Sequence, residues 1–142
     1  MKKLILLTTI IALLTLVPLA YTGGETDERM QLVSETNDLN RKLNREEKHA
    51  AYDYAVRMCE GVKEATQSGS HDPLAVISSW AAASKAERYG RNIFMLHAKQ
   101  WLPGDIEKFD GICQTFRTKR EYYRPQAQLR CPVCGTSFVE VR

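Results

Sequence analysis

Residues 46–67 read EEKHAAYDYAVRMCEGVKEATQ, and this stretch indicates the central helix of the fold. Its apolar residues recur at spacings of three and four, which places them on one face of an α-helix. They are Ala51, Tyr54, Ala55, Met58, Val62 and Ala65. The polar run at residues 67–70 ends the pattern. The sequence therefore predicts an amphipathic helix from about residue 46 to residue 67.

Downstream, the sequence predicts a second helix that runs from Asp72 to Gly90. Asp72 is a suitable N-cap, and Pro73 occupies the first turn, where its missing N–H costs nothing. Apolar rows of this helix converge on Trp80, and Gly90 can adopt the left-handed conformation that ends helices. Four residues advance a helix by little more than one turn. Glu87 would therefore continue the row that contains Trp80, near the C-terminal end of this helix.

A third amphipathic helix follows the turn at residues 101–105, with Asp105 as its N-cap. Its apolar positions are Ile106, Phe109, Ile112, Cys113 and Phe116. Beyond Pro125 the pattern changes to two short strands around a cysteine-containing turn. We therefore expect a mainly α fold, with a helical domain at residues 48–124 and a short C-terminal β-hairpin in a cysteine-containing tail at residues 125–142.

The N-terminus has the pattern of an export signal. Lys2 and Lys3 precede an uncharged apolar run at residues 4–17, and Pro18 follows it. A charged start, a short apolar core and small residues after it are typical of secretory signals. The run is shorter than the roughly 20 residues that cross a membrane. We predict a signal peptide at residues 1–22, or alternatively an uncleaved anchor in the inner membrane, and a periplasmic or extracellular location.

Between the signal and the helical domain, residues 23–47 are polar. Their spaced apolar positions are Leu32, Leu39 and Leu43, too few for a coiled coil. A partly helical spacer is the simplest interpretation. Loss of Lys2 and Lys3 with the signal lowers the formal net charge from +3 to +1. A nucleic-acid-binding domain is expected to be strongly basic, so we predict no nucleic-acid partner.

The motif Cys131-Pro-Val-Cys134-Gly135 resembles the metal-binding knuckle of rubredoxins and zinc ribbons. One structural zinc would need four ligands. The candidate set is Cys113, Cys131, Cys134 and His97, with Cys59 as the alternative to His97. Four exported cysteines can instead form disulfides, in any of three pairings. Redox exchange through the two cysteines of the motif is the third alternative.

The segment Ala86-Glu87-Arg88-Tyr89-Gly90, followed by Asn92-Ile93-Phe94 and by Trp101, has a pattern similar to one in peptidoglycan-cleaving enzymes. Over residues 50–101 the chain resembles lysozyme-like enzymes of the soluble lytic transglycosylase and glucosaminidase types. The resemblance implies a small lysozyme-like helical domain. It also implies that Glu87 is the catalytic general acid and that Tyr89 and Trp101 bind substrate.

The same resemblance allows a protein without activity. Counted from Pro73, the acid of the family falls near Ala83, and the chain would then be a non-catalytic relative. Glu87 would in that case form an ordinary i, i+4 ion pair with Arg91. Three function classes therefore stay open: a peptidoglycan glycosidase, a module that binds peptidoglycan or an envelope protein, and a structural or regulatory protein of the envelope, for example a phage-encoded one.

A basic cluster near the C-terminus adds a candidate contact surface. Arg117, Lys119, Arg120 and Arg124 surround Tyr122 and Tyr123. A solvated surface explains such a cluster without any function. The functional interpretation is contact with anionic lipid headgroups or wall polymers, because guanidinium groups bind such anions well. Peripheral membrane contact is thus one of the expectations.

Overall fold

The computed structural model describes residues 24–126, 128–130, 133–135 and 137–139. The chain divides into two compact units, of which one ends at Glu35 and the other begins at Thr36. Residues 24–42 are helical and are called α1; residues 24–35 of it belong to the first unit. The predicted signal peptide at residues 1–22 lies outside the described residues and stays a prediction.

The second unit is mainly helical, as the sequence predicts. Its longer helices are α2 at Arg45–Gln67, α4 at Lys85–Ile93 and α5 at Ile106–Tyr122. Its short elements are α3 at Ala75–Ser78, a π-helical turn at Phe94–Ala98 and a 3₁₀ turn at Lys99–Trp101. Two strands follow, β1 at Gln128–Arg130 and β2 at Ser137–Val139.

Helix α2 begins with a capping box. The Asn44 side chain accepts a hydrogen bond from the Glu47 N–H, and the Glu47 carboxylate accepts one from the Asn44 N–H, both at 2.9 Å. Two N–H groups that lack helical partners are thereby satisfied. At the other end, Gly69 adopts a φ of 75°, a left-handed conformation that suits glycine after a helix. The predicted central helix is confirmed within one residue at its start.

The core of the second unit forms where α2 packs against α4 and α5. The largest side chains that are fully buried there are Phe94, Phe109, Met58, Val56 and Val62. Leu39 and Leu43 are also buried in this core. The part of the predicted spacer from Thr36 onward therefore belongs to the second unit, because its two leucines are buried in the core that the three helices form.

The prediction of one helix from Asp72 to Gly90 is wrong, because this segment contains two separate helices, α3 and the start of α4. The predicted N-cap at Asp72 is also wrong: its carboxylate accepts a hydrogen bond from the Ala75 N–H, but the N-cap of α3 is Leu74, and α3 ends after four residues. The Ser78 and Ser79 hydroxyls donate to the carbonyls three residues earlier, a local bond that competes with helix continuation. The chain re-enters a helix at the N-cap Ser84.

As a consequence of this division, Gly90 lies inside α4 and not at its end. A Cβ atom at Gly90 would lie 2.3 Å from the Ala51 carbonyl oxygen and 3.1 Å from the Tyr54 Cβ. Only a glycine lets the α4 backbone approach α2 this closely. The glycine is thus required for close packing of the two helices, and not for a left-handed cap.

Helix α5 agrees with its prediction. The Asp105 carboxylate accepts from the Lys108 N–H at 2.9 Å and caps the helix at the predicted residue. Cys113 of α5 forms a disulfide with Cys59 of α2, and both residues are fully buried. Disulfide formation, one of the three alternatives for the cysteines, is confirmed for this pair.

After α5, strands β1 and β2 pair antiparallel, with Leu129 opposite Phe138. The connection between them includes residues outside the described set. The C-terminal hairpin, as a unit carrying the cysteine motif, therefore stays a prediction.

Substitution of two helical glycines should have opposite effects. We expect Gly90→Ala to lower the free energy of unfolding by about 1–3 kcal/mol or more, because the new methyl group meets the backbone of α2. Gly111→Ala in α5 is the matched control, since no atom lies within 4 Å of its added Cβ. The control should raise stability by up to about 1 kcal/mol. Urea unfolding of both variants measures the difference; equal effects would contradict the close approach at Gly90.

Removal of the disulfide should destabilise the second unit without changing its helical content in native buffer. The bond joins residues separated by 54 positions. A loop of this length stabilises a fold by about 2–4 kcal/mol, mainly by restricting the unfolded chain. We expect the double variant Cys59→Ala/Cys113→Ala to unfold at lower urea concentration by that amount. Two results together would contradict the bond. They are an unchanged unfolding midpoint for the double variant, and free thiols at Cys59 and Cys113 in the unreduced wild-type protein.

Candidate functional site

Glu87 lies in the first turn of α4 and completes a second capping box. Its carboxylate accepts from the Ala83 N–H at 2.8 Å and from the Ser84 N–H at 3.0 Å, and the Ser84 hydroxyl accepts from the Glu87 N–H. The backbone hydrogen bonds from Ser84 and Ala83 lower the pKa of the carboxyl group. Within the described part of the chain, the carboxylate makes no ion pair with Arg91.

This geometry favours a capping role for Glu87. A general acid for glycoside cleavage must be protonated when the substrate binds, so its environment normally raises the pKa. The N–H groups around Glu87 act in the opposite direction, because they stabilise the ionised form. The catalytic role of Glu87 stays a prediction, one that the surroundings of its carboxylate do not support.

The two predicted substrate-binding residues have different surroundings. Tyr89 is buried and lines a pocket. Trp101 is half-buried, with the Lys108 ammonium 3.6 Å from the centre of its ring. Its indole N–H is buried and has no hydrogen-bond partner. The pocket that contains Tyr89 includes neither Trp101 nor Glu87 among its lining residues.

The predicted metal set requires a correction at Cys113. Its sulfur is bonded to Cys59, so neither cysteine has a thiolate to offer a metal ion. Cys131 lies outside the described residues, and Cys134 is exposed in a turn. His97 is exposed on the π-helical turn. No group of three His, Cys, Asp or Glu residues with metal-binding geometry occurs in the described ranges.

The pocket beside Tyr89 is the main candidate for a binding site. It has a volume of about 250 Å³ and lies among α2, α4, the π-helical turn and α5. We call it the tyrosine pocket. Its lining residues are Tyr52, Tyr89, Ile93, His97, Ile112, Thr115, Phe116 and Lys119. It thus brings together two residues that the sequence analysis assigned to different sites, Tyr89 and His97.

Tyr52 is the centre of an aromatic cluster at this pocket. Its ring packs edge-on against Tyr89 at 6.1 Å and lies parallel to Tyr123 at 5.7 Å between ring centres. Burial raises the pKa of Tyr52, and its hydrogen bond with Tyr89 raises it further. Burial also raises the pKa of Tyr89. Both phenols therefore stay neutral at physiological pH and keep their hydroxyl protons as hydrogen-bond donors.

Three basic side chains surround the cluster. The Lys48 ammonium lies 5.6 Å from the centre of the Tyr123 ring, and that of Lys119 lies 5.9 Å from the Tyr122 ring. Arg45 lies 5.6 Å from the Tyr122 ring and donates to the Tyr122 carbonyl. No salt bridge within the described ranges involves these three side chains.

The arginines of the predicted basic cluster behave differently, because they pair with acidic side chains. Arg117 pairs with Glu60, Arg120 with Asp53 and Glu121, and Arg124 with Glu121. Sequence reasoning identified the cluster at residues 117–124 but missed Lys48. A usable signal was present, since Lys48 precedes Tyr52 by four residues and both lie on one face of α2.

A second groove, of about 290 Å³, lies near the C-terminal end of α2 and the turn before α5. Its walls are mostly apolar, with Leu74, Leu102 and Ile106 among them. Its ionisable residues are His71 and Asp72, and the Asp72 carboxylate accepts a hydrogen bond from the Ala75 N–H. The lining of this groove therefore indicates no particular chemical class of ligand.

Comparison with known proteins found no matching family model, no similar curated protein and no similar solved structure. Among the helices in the described ranges, none has the combined length and hydrophobicity needed to cross a bilayer.

The capping role of Glu87 predicts a specific pH dependence. Because its folded-state pKa lies below the ordinary value of 4.5, ionised Glu87 stabilises the fold above that value. The contribution is lost as the pH falls through the lowered folded-state pKa. We expect Glu87→Gln to be less stable than wild type at pH 7 and to lose less stability on acidification from about pH 5 to about pH 3.

Thermal unfolding followed by circular dichroism across this range measures the effect. The matched control is Glu64→Gln, which changes an exposed glutamate of α2 in the same way. Parallel pH profiles for wild type, Glu87→Gln and Glu64→Gln would show that Glu87 does not cap α4.

Proposed function

We propose that this chain is an exported protein of the cell envelope that binds peptidoglycan without cleaving it. The observation that carries the proposal is the buried disulfide between Cys59 and Cys113. Disulfides form and persist in oxidising compartments and are rare in the cytosol of most organisms. The bond therefore supports the export that the N-terminal sequence predicts.

Binding without cleavage is supported by the surroundings of Glu87. A glycosidase needs a carboxyl group that keeps its proton near neutral pH. Glu87 accepts hydrogen bonds from two backbone N–H groups, and its pKa is lowered. The proposal accordingly treats the chain as a non-catalytic relative of the lysozyme-like enzymes that it resembles over residues 50–101.

Peptidoglycan as the ligand is supported by the resemblance together with the tyrosine pocket. Aromatic side chains present flat apolar faces with a polar edge, a combination suited to sugars. Tyr52 and Tyr89 offer both at the pocket. An envelope protein as the partner is the alternative outcome of the binding experiment.

The proposal includes a more specific fold for the helical domain and the C-terminal tail. We propose a lysozyme-like helical domain that ends in a hairpin carrying Cys131 and Cys134. With Cys59 and Cys113 already bonded, a second disulfide between these two cysteines completes the even set in an oxidising compartment. A structural zinc at the same two cysteines is the alternative, and metal analysis together with a free-thiol count separates the two.

Purified mature protein should sediment with isolated peptidoglycan sacculi and should produce no clearing in a zymogram of the same material. Glu87→Gln should bind equally well, since a cap residue does not contact the ligand. Clearing by wild type that Glu87→Gln loses would establish a glycosidase instead. Absence of the protein from the sacculus pellet, with capture of one envelope protein by crosslinking, would favour the protein partner.

Export is tested separately by fractionation of cells that express the full chain. We expect the protein to fractionate with periplasmic or secreted markers, or with the membranes if the signal peptide is not cleaved. Recovery with cytosolic markers and an intact leader would overturn the proposal.

A further inference from the structure

We propose that the tyrosine pocket binds a sugar unit of an acidic glycan, with the carboxylate of that glycan held by Lys119 and Lys48. This inference rests on the proposed function, because peptidoglycan is a glycan whose peptide stems carry free carboxylates. It names the binding site on the protein, the ligand group that this site recognises, and the dependence of binding on charge.

The size of the pocket limits what enters it. Pockets that enclose whole drug-sized ligands have volumes of roughly 300–1,000 Å³. At about 250 Å³, the tyrosine pocket accommodates one ring-sized group while the rest of the ligand stays outside. A polymer of sugar rings meets this condition, since one unit enters and its neighbours extend along the surface. A flat lipid surface has no such protruding ring.

Tyr52, Tyr89 and Phe116 give the pocket an aromatic wall, and Tyr123 supports Tyr52 from outside the lining. Tyr52 and Tyr123 lie parallel, with 8° between their ring planes, and Tyr52 is packed further by Phe116. These contacts fix the rings before a ligand arrives, so little side-chain entropy is lost on binding. The neutral phenol groups of Tyr52 and Tyr89 add hydroxyls that can exchange hydrogen bonds with sugar hydroxyls.

The charges around the pocket favour an anionic ligand. Lys119 lines the pocket, and Lys48 lies over the ring of Tyr123, which stacks on the lining residue Tyr52. No acidic residue of the described ranges lines the pocket, and two that lie next to tyrosines in the sequence are paired, Asp53 with Arg57 and Arg120, and Glu121 with Arg120 and Arg124. Neither lysine has a carboxylate partner within the described ranges. A ligand carboxylate supplies the missing charge.

The binding should be modest and sensitive to salt. Lys119 is exposed, and ion pairs at exposed sites contribute little individually and are screened at physiological ionic strength. Recognition by one sugar ring and two lysines therefore suits a protein that meets many copies of its ligand on a polymer. A polymer presents its repeating ligand at high local concentration, which raises the occupancy of a weak site by mass action.

Sedimentation with isolated sacculi tests the site directly. We expect Lys119→Glu to weaken binding by about threefold to tenfold, because it replaces an attraction by a repulsion. Lys119→Arg keeps the charge and should retain binding. Lys42→Glu in α1 is the matched control, since it makes the same charge change at another exposed helical lysine and should have no effect. Circular dichroism melts verify that all variants fold.

Two further ligands separate the possible sources of the negative charge. Sacculi with amidated carboxylates should lose wild-type binding to the same extent as Lys119→Glu loses binding to untreated sacculi. Vesicles of anionic phosphatidylglycerol should not compete. Equal binding to such vesicles, or full binding to amidated sacculi, would overturn the inference.

The results also distinguish this inference from the proposed function. Wild-type binding with identical affinities for Lys119→Glu and Lys42→Glu would remove the tyrosine pocket as the site and leave peptidoglycan binding intact. A wild-type protein that does not sediment with sacculi would overturn both.

Discussion

The close approach of α4 to α2 at Gly90 is the constraint on which the second unit depends. The α4 backbone lies so near the Ala51 carbonyl that no side chain fits between the helices. This contact fixes Tyr89 next to Tyr52 and thereby forms one wall of the tyrosine pocket. On the other side, the disulfide from Cys59 holds α5 against the same helix. Helix α2 is thus the common support of every element around the pocket.

The sequence predicted α2 from its apolar periodicity alone, and α5 from periodicity together with a cap at Asp105. Asn44 with Glu47 and Asp105 with Lys108 define starts that local bonds alone can explain. The second helix failed for a local reason too. Ser78 and Ser79 bond back to earlier carbonyls, and Ser84 offers a new start. The apolar row that runs past these serines would lie on one face of a helix only if that helix were unbroken.

The candidate site was less predictable, because its properties depend on tertiary pairing. The functional interpretation of the sequence assigned anion contact to the whole cluster of Arg117, Lys119, Arg120 and Arg124. In the structure the three arginines pair with acidic residues: Arg117 and Arg120 pair with Glu60 and Asp53 of α2, whereas the pair of Arg124 with Glu121 is local. Among the described basic groups next to the tyrosines, those without a salt bridge are Arg45, Lys48 and Lys119. Glu87 illustrates the same limit, because the division of the predicted helix changed it from a terminal residue of a long helix into a cap.

The disulfide also has a consequence for resistance to proteolysis. Together with the chain between Cys59 and Cys113, it closes a covalent ring that contains α3, α4 and both irregular turns. The stretch between α3 and α4 is mostly exposed and is the kind of segment that proteases cut first. One cleavage there opens the ring but releases no fragment, because both pieces remain joined through sulfur. A nicked molecule therefore keeps α2 and α5 attached, together with the tyrosines and lysines they carry.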